Sequence, residues 1–248
     1  MNQILVTKKL YITPELKKKK KMYKLDFFLS IFIVCILISF CIYAEYDRNK
    51  SEETSQEILA DLENQEDTTT AKNNMLVVVL DEEEQTNTEK EIQEQTAQKN
   101  ITKTKQKTKN GYTYVTVATI NIPKINVNYP ILDGETDTTE ETEELLKMSP
   151  TRFWGPEPNE EGNFCVVGHN YRNTKFFSKV PTLVNGDIIE ITDLSGRTIK
   201  YRVYDKYEVD PTDVSCTSQI TNGQKEVTLI TCTNDSKKRV IVKTREIK

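Results

Sequence analysis

The run from Phe27 to Ala44, FFLSIFIVCILISFCIYA, is 18 residues without a charge, and no other feature constrains the chain as strongly. That length crosses the hydrocarbon core of a bilayer once flanking side chains are counted. The run is apolar on all sides, which argues against a helix lying on a soluble core. Lys17 to Lys21 and Lys24 precede it, and Glu45 and Asp47 follow it. Positive charge stays on the cytoplasmic side, so the N-terminus is expected inside and everything after Ala44 outside. A cleaved signal peptide is the rival reading. Its apolar core is usually shorter, and no A-x-A-like site follows here, so an uncleaved single-pass anchor is expected.

The hydrophobic fraction of 36% is low for a compact globule of 248 residues, and the deficit is uneven. Apolar residues concentrate in the anchor and again after Gly111. Between Glu45 and Asn110 the chain is dominated by Glu, Gln, Thr, Lys and Asn, with no Gly or Pro. That composition buries too little apolar surface to offset chain entropy, so a mostly disordered, solvated stalk is expected. Met75 to Leu80 (MLVVVL) is its exception, a short strand or a segment that docks on the folded domain. The resulting division is a basic cytoplasmic tail at 1–26, an anchor at 27–44, a stalk at 45–110 and a folded domain at 111–248. The net charge of -4 gives no sign of a nucleic-acid partner, and none is expected.

Thr113 to Ile122 is rich in β-branched residues and stops at Pro123. Asp187 to Thr192 reads as a short strand. Ile199, Tyr201 and Val203 alternate with Lys200, Arg202 and Tyr204, the period of a half-buried strand. Val227 to Thr231 and Val240 to Val242 add two more, Asn185-Gly186 and Ser195-Gly196 supply turns, and one helix fits Thr139 to Lys147. Short strands joined by turns, with little helix, suggest a small closed barrel or a sandwich.

There are five cysteines and one histidine. Cys35 and Cys41 lie in the anchor. Cys165, Cys216 and Cys232 are odd in number and fit neither a disulfide framework nor a zinc site, so at least one thiol is free. His169 lies just past an apolar strand and a glycine. A lone histidine is most often structural, and with no second histidine it cannot join a multi-histidine metal site. Cys232 ends the strand Val227 to Thr231. A strand cysteine is usually only a small hydrophobe. Here, however, the strand stops at the thiol, a polar turn follows, and Lys237, Lys238 and Arg239 come next, cations that favour thiolate. Cys165 is four residues from His169, roughly 13 Å along a strand at about 3.3 Å per residue, too far for a hydrogen bond. Cys216 sits in a loop without a rigid element to aim it. Cys232, His169 and Arg239 therefore fit nucleophile, acid or base, and cationic stabiliser.

These residues resemble the sortase family. Thr228 to Cys232 matches the TLxTC signature, Gly168-His169 behind an apolar strand resembles the histidine motif, and Arg239 on the following strand completes the set. Ala118 to Ile125 resembles the first strand of the family, and Asn185 to Ile188 its loop into a middle strand. The resemblance covers about Tyr112 to Ile247. It implies a mainly β fold, an eight-stranded barrel with one or two short helices, and a groove for a sorting signal such as LPxTG. It implies Cys232 as nucleophile, His169 as proton donor and acceptor, and Arg239 as the cation near the oxyanion, with Thr231 helping to place substrate. The partners implied are surface proteins with a C-terminal sorting signal and an amine acceptor, from a peptidoglycan precursor or a pilin lysine. The short turn from Cys232 to Arg239 and the lack of a large insertion before Cys232 resemble classes A and D more than class B. No Asp-Pro lid and no second span are seen, unlike pilus-type class C. No cofactor is expected. Glu157, Glu160 and Glu161, with Glu208 or Asp210, offer hard ligands for Ca²⁺, although an acidic surface loop is the plainer reading.

Two other functions share these features. A non-enzymatic anchored β-domain, an adhesin or receptor module, needs no thiol that reacts faster than the rest. An anchored cysteine hydrolase releases an acid where a transpeptidase forms an amide.

Overall fold

The computed structural model describes residues 14–74, 103–136 and 138–247. The Met75–Leu80 segment lies outside them. Helix α1 (Pro14–Asn74) contains the apolar run, and by length and composition it is able to cross a membrane. The chain divides into two compact units between Asn49 and Lys50. In the first, the side chains of the apolar run are exposed, as they would be to lipid.

The second unit is built on a closed β-barrel. Its strands are β2 (Thr113–Ile122), β3 (Val127–Gly134), β4 (Thr151–Trp154), β5 (Gly162–Val167), β6 (Ile188–Asp193), β7 (Thr198–Val209), β8 (Lys225–Cys232) and β9 (Arg239–Glu246). A two-residue strand, β1 (Gln106–Lys107), pairs with the outside edge of β2. Around the barrel the order is β2-β3-β4-β5-β8-β9-β7-β6, and β6 pairs back onto β2. Eight strands thus close into a ring with no free edge between them. Two contacts are parallel, β3 with β4 and β5 with β8; the others are antiparallel. Ile120, Ile122, Ile131, Phe164, Val166, Ile189, Ile191, Val227, Leu229 and Val242 fill the interior and are fully buried. Each such side chain contributes about 1.5–3 kcal/mol relative to exposure.

The first strand runs over the residues its β-branched content predicts and stops where Pro123 removes a backbone donor. Asn126 then takes a left-handed conformation, φ 54°, and starts β3. Helix α2 (Thr139–Leu146) follows its predicted span. Thr138 caps it by accepting the Glu141 N–H at 3.3 Å, and Glu141, Leu145 and Leu146 are its buried residues.

Residues 50–64, expected as part of the stalk, are helical. Ser55, Ile58 and Leu59 form one buried face of α1 at helical spacing. Ile58 packs with Tyr114, Leu132 and Leu145. Ser149 donates to the Pro130 carbonyl at 2.6 Å, so the 2.9 Å bond from Ser55 must run from the Ser55 hydroxyl to Ser149. A stretch that is polar on average therefore carries a narrow apolar stripe, which average composition does not register.

Candidate active site

Local chemistry places the thiol. Strand β8 alternates strictly, with Val227, Leu229 and Thr231 turned inward and Thr228, Ile230 and Cys232 turned outward. It ends at Cys232 because Thr233 to Lys238 close a tight turn. Thr233 N–H donates to the Lys238 carbonyl at 3.0 Å, and Ser236 sits in a left-handed conformation, φ 61°. The turn delivers the chain into β9 with Arg239 directly opposite Cys232. Both side chains are half-buried.

The histidine arrives from the neighbouring strand. β5 runs parallel to β8, with Cys165 beside Thr228 and Val167 beside Ile230. The ladder continues past the strand end, where Gly168 N–H donates to the Ile230 carbonyl at 3.0 Å. Continued two places past Val167, that register leads to His169 and Cys232, so the histidine follows its strand at the level where β8 ends. Asn170 ties the two segments together. Its amide donates to the Cys232 carbonyl at 2.8 Å and to Asn234 Oδ1 at 3.1 Å. Local sequence gives Asn170 no such role, because its partner is 62 positions away.

Thr231 was expected to help place substrate beside the thiol. It is adjacent to the thiol in sequence, but its side chain is buried and its hydroxyl donates to the Gly168 carbonyl at 2.7 Å. It faces away from Cys232, and its observed contact clamps the backbone just before His169.

A groove of about 340 Å³ runs over the outward face. Val167, Ile230 and Ile241 form its floor, α2 contributes Thr142, Glu143 and Leu146, and the β7–β8 connection contributes Val214 and Cys216. Arg239 lines the groove, and Cys232 adjoins it through the β8–β9 pairing. Among the described residues the Arg239 guanidinium has no hydrogen-bond or ion-pair partner. Arg245, on the same face of β9, is committed elsewhere. It donates to Glu226 Oε1 at 2.8 and 3.1 Å and lies 4.6 Å from the centre of the Tyr204 ring.

Electrostatics separates the groups further. Burial pushes the His169 pKa below its ordinary value; Glu143 favours the charged ring and Lys147 opposes it, both from the α2 side. Burial pushes the Cys165 thiol up to about 12 and also raises Cys216, so both are poor sources of thiolate. All five cysteines are free. Of the acidic residues considered for Ca²⁺, Glu157 pairs with Lys103 and Arg152, and Glu160 with Arg197.

The loop after His169 was not legible as part of the site. Phe177 N–H donates to the His169 carbonyl at 3.1 Å, and Asn170 bridges Phe176. Phe176 has φ 47°, a left-handed conformation that costs a bulky side chain about 1–2 kcal/mol. Two contacts hold it there. Its N–H donates to the Tyr129 hydroxyl at 3.1 Å, and its ring stacks on Tyr129 at 5.0 Å.

A closed barrel with a rim thiol, a guanidinium across from it in a groove, and the single imidazole next to the residue that bonds the Cys232 carbonyl has the layout of a β-barrel cysteine enzyme. The sortase domain model matches residues 120–247, about half of the chain, and the chain belongs to the sortase family, a family of cysteine transpeptidases. Several solved sortases are similar to it. A sortase D5 transpeptidase of Clostridium perfringens is 32% identical over 54% of this chain and 79% of its own, with a TM-score of 0.46. Sortase C-1 from Actinomyces oris is 29% identical over 53% of this chain and 73% of its own, TM-score 0.46. Sortase A from Corynebacterium diphtheriae is 26% identical over 54% of this chain and 61% of its own, TM-score 0.46. No curated protein sequence matches the chain.

Proposed function

We propose that this protein is a membrane-anchored transpeptidase that cleaves an LPxTG-like sorting signal and joins the released acyl part to an amine acceptor of the cell wall. The Cys232 sulfur attacks the carbonyl carbon of the threonine in the signal. The C–N bond to the following residue breaks, and His169 gives a proton to the departing amine. The product is a thioester on Cys232. An acceptor amine then attacks that carbonyl, His169 takes the proton, and the amide forms as the thiolate leaves. Arg239 directs paired N–H donors at the carbonyl oxygen while it carries negative charge.

The observation that carries this reading is the β8–β9 pairing that sets Arg239 opposite Cys232, together with Asn170, the neighbour of His169, bonded to the Cys232 carbonyl. The apolar floor of Val167, Ile230 and Ile241 suits the leucine and proline of such a signal. The connection between β7 and β8 contains one 3-10 turn, Ser215–Thr217, and no α-helix, which favours a class A or D type over class B. The apolar run of α1 is the anchor, with the basic N-terminus inside and the barrel outside.

The test incubates the full chain in detergent with an LPxTG-like peptide library, with and without a glycine-based amine, and reads products by mass spectrometry. Cleavage between Thr and Gly together with an amide product supports the transpeptidase. Acid product alone, unchanged by the amine, makes it a hydrolase. No cleavage of any such peptide refutes the reading.

A further inference from the structure

The outer portion of α1 is joined to the histidine loop by an unbroken run of contacts. Tyr129 on β3 is buried, and its hydroxyl lies 2.9 Å from each carboxylate oxygen of Glu52. The same oxygen accepts the Phe176 N–H at 3.1 Å. The Tyr129 and Phe176 rings are stacked, Phe176 meets Tyr171 edge-on at 5.4 Å, and the Tyr171 ring lies 5.2 Å from the His169 ring. Ser55, on the same turn of helix, bonds Ser149, which itself donates to the Pro130 carbonyl of β3, so this stretch of α1 is seated over β3 beside Tyr129.

The chemistry of that junction is directional. A phenol has one proton. Donated to Glu52, it leaves the oxygen lone pairs turned toward Phe176, where they accept the N–H of a residue in a strained conformation. Without Glu52, the hydroxyl is free to rotate and loses its charge-assisted bond.

We propose that Glu52 and Tyr129 are positioning residues for His169, so that the helix following the apolar run forms part of the active site's supporting structure. The inference rests on His169 acting as proposed above. Neither residue touches the groove; both act through Phe176 and Tyr171. A barrel lacking α1 retains Cys232, His169 and Arg239 but loses the contact that holds the histidine loop.

The single histidine makes this testable without activity. In the full chain in detergent, ring-labelled histidine gives one set of NMR signals, all from His169. The variants are Glu52→Ala, Glu52→Gln, Tyr129→Phe and, as a control on the same helix turn, Gln56→Ala. Loss of one charge-assisted bond predicts a fall in kcat of about tenfold in Glu52→Ala and Tyr129→Phe, with KM little changed. The His169 signals should broaden or move in both, and the ring's titration midpoint should rise as burial is relieved. Glu52→Gln keeps an acceptor oxygen and should recover most of the loss, whereas a merely packed helix would show no such rescue. Gln56→Ala should match the wild type. If Glu52→Ala and Tyr129→Phe, folded by circular dichroism, leave the histidine signals, midpoint and kcat unchanged, the coupling is wrong. A wild-type chain that cleaves no sorting peptide overturns the transpeptidase reading, while the histidine signals still decide the coupling.

Discussion

The two arginines of β9 give a reciprocal prediction. Arg239 and Arg245 share one face of the strand, six residues apart, roughly 20 Å at about 3.3 Å per residue. Arg239 is half-buried in the groove opposite Cys232, without a partner among the described residues. Arg245 holds Glu226, whose side chain is only 7% exposed, with two hydrogen bonds. Arg239→Ala should therefore change stability by no more than about 0.5 kcal/mol. It should lower kcat by about 10²-fold, near 2.7 kcal/mol of barrel-face stabilisation of the oxyanion. Arg239→Lys should recover part of that loss, because an ammonium lacks the paired planar donors. Arg245→Ala strips a buried carboxylate of its main partner. Lys243 at 3.7 Å and the Tyr204 hydroxyl at 3.1 Å remain, and the Arg245 side chain is 46% exposed. Charge-assisted bonds of this kind are worth about 1.5–3 kcal/mol when buried; discounted for solvent screening, the loss is about 1–2 kcal/mol. That lowers Tm by about 2–8 °C for a unit of this size, with kcat nearly unchanged. Steady-state cleavage and thermal melts of the three variants decide it. If Arg245→Ala abolishes turnover at an unaltered Tm while Arg239→Ala turns over normally, the catalytic cation has been assigned to the wrong end of β9.

Cys232→Ala should abolish cleavage while Cys165→Ala and Cys216→Ala retain most of it; in iodoacetamide mapping of the folded chain, labelling of Cys165 as fast as Cys232 would count against the assignment. Gly168→Ala should cost about 1–3 kcal/mol and about 10²-fold in kcat, since its new Cβ would meet the buried Phe177 ring at 2.6 Å beside His169, and unaltered kinetics would show that the ring yields freely. Because burial lowers the His169 pKa below its unfolded value, the unfolded chain binds more protons, and this residue's contribution is fully present above about pH 6.5 and lost as pH falls through the folded value. Urea melts of wild type and His169→Gln at pH 8 and pH 5 should then show the variant gaining relative stability at pH 5; an equal difference at both values refutes it. Protease added to intact wall-stripped cells should cut between Glu45 and Asn110, and protection of that whole stretch would place the barrel inside.

Local signals were sufficient where one element carries its own instruction. The apolar length of Phe27 to Ala44, the β-branched run closed by Pro123, the helical stretch at Thr139 to Lys147 and the polar turn after Cys232 each act within a few residues. β3 was not legible in this way. Pro130 interrupts its pattern, yet it pairs with Thr119 on β2 and its flanking residues are buried. The barrel itself followed from family resemblance, since period-two alternation alone fits a sandwich as well.

What the chain's sequence determined by itself was a set of candidate groups and the elements that carry them: one imidazole behind an apolar strand, one thiol at a strand end, one arginine across a short turn. Only the tertiary structure decided how they meet. The segments that carry His169 and Cys232 are brought together by the parallel pairing of β5 with β8, strands more than 60 residues apart, and neither strand's pattern specifies that register. The direction in which Thr231 points, the partner that occupies Arg245 and the link from Glu52 through Tyr129 to the histidine loop depend in the same way on distant pairings. Periodicity records which face of an element is buried; it does not record which element will cover it.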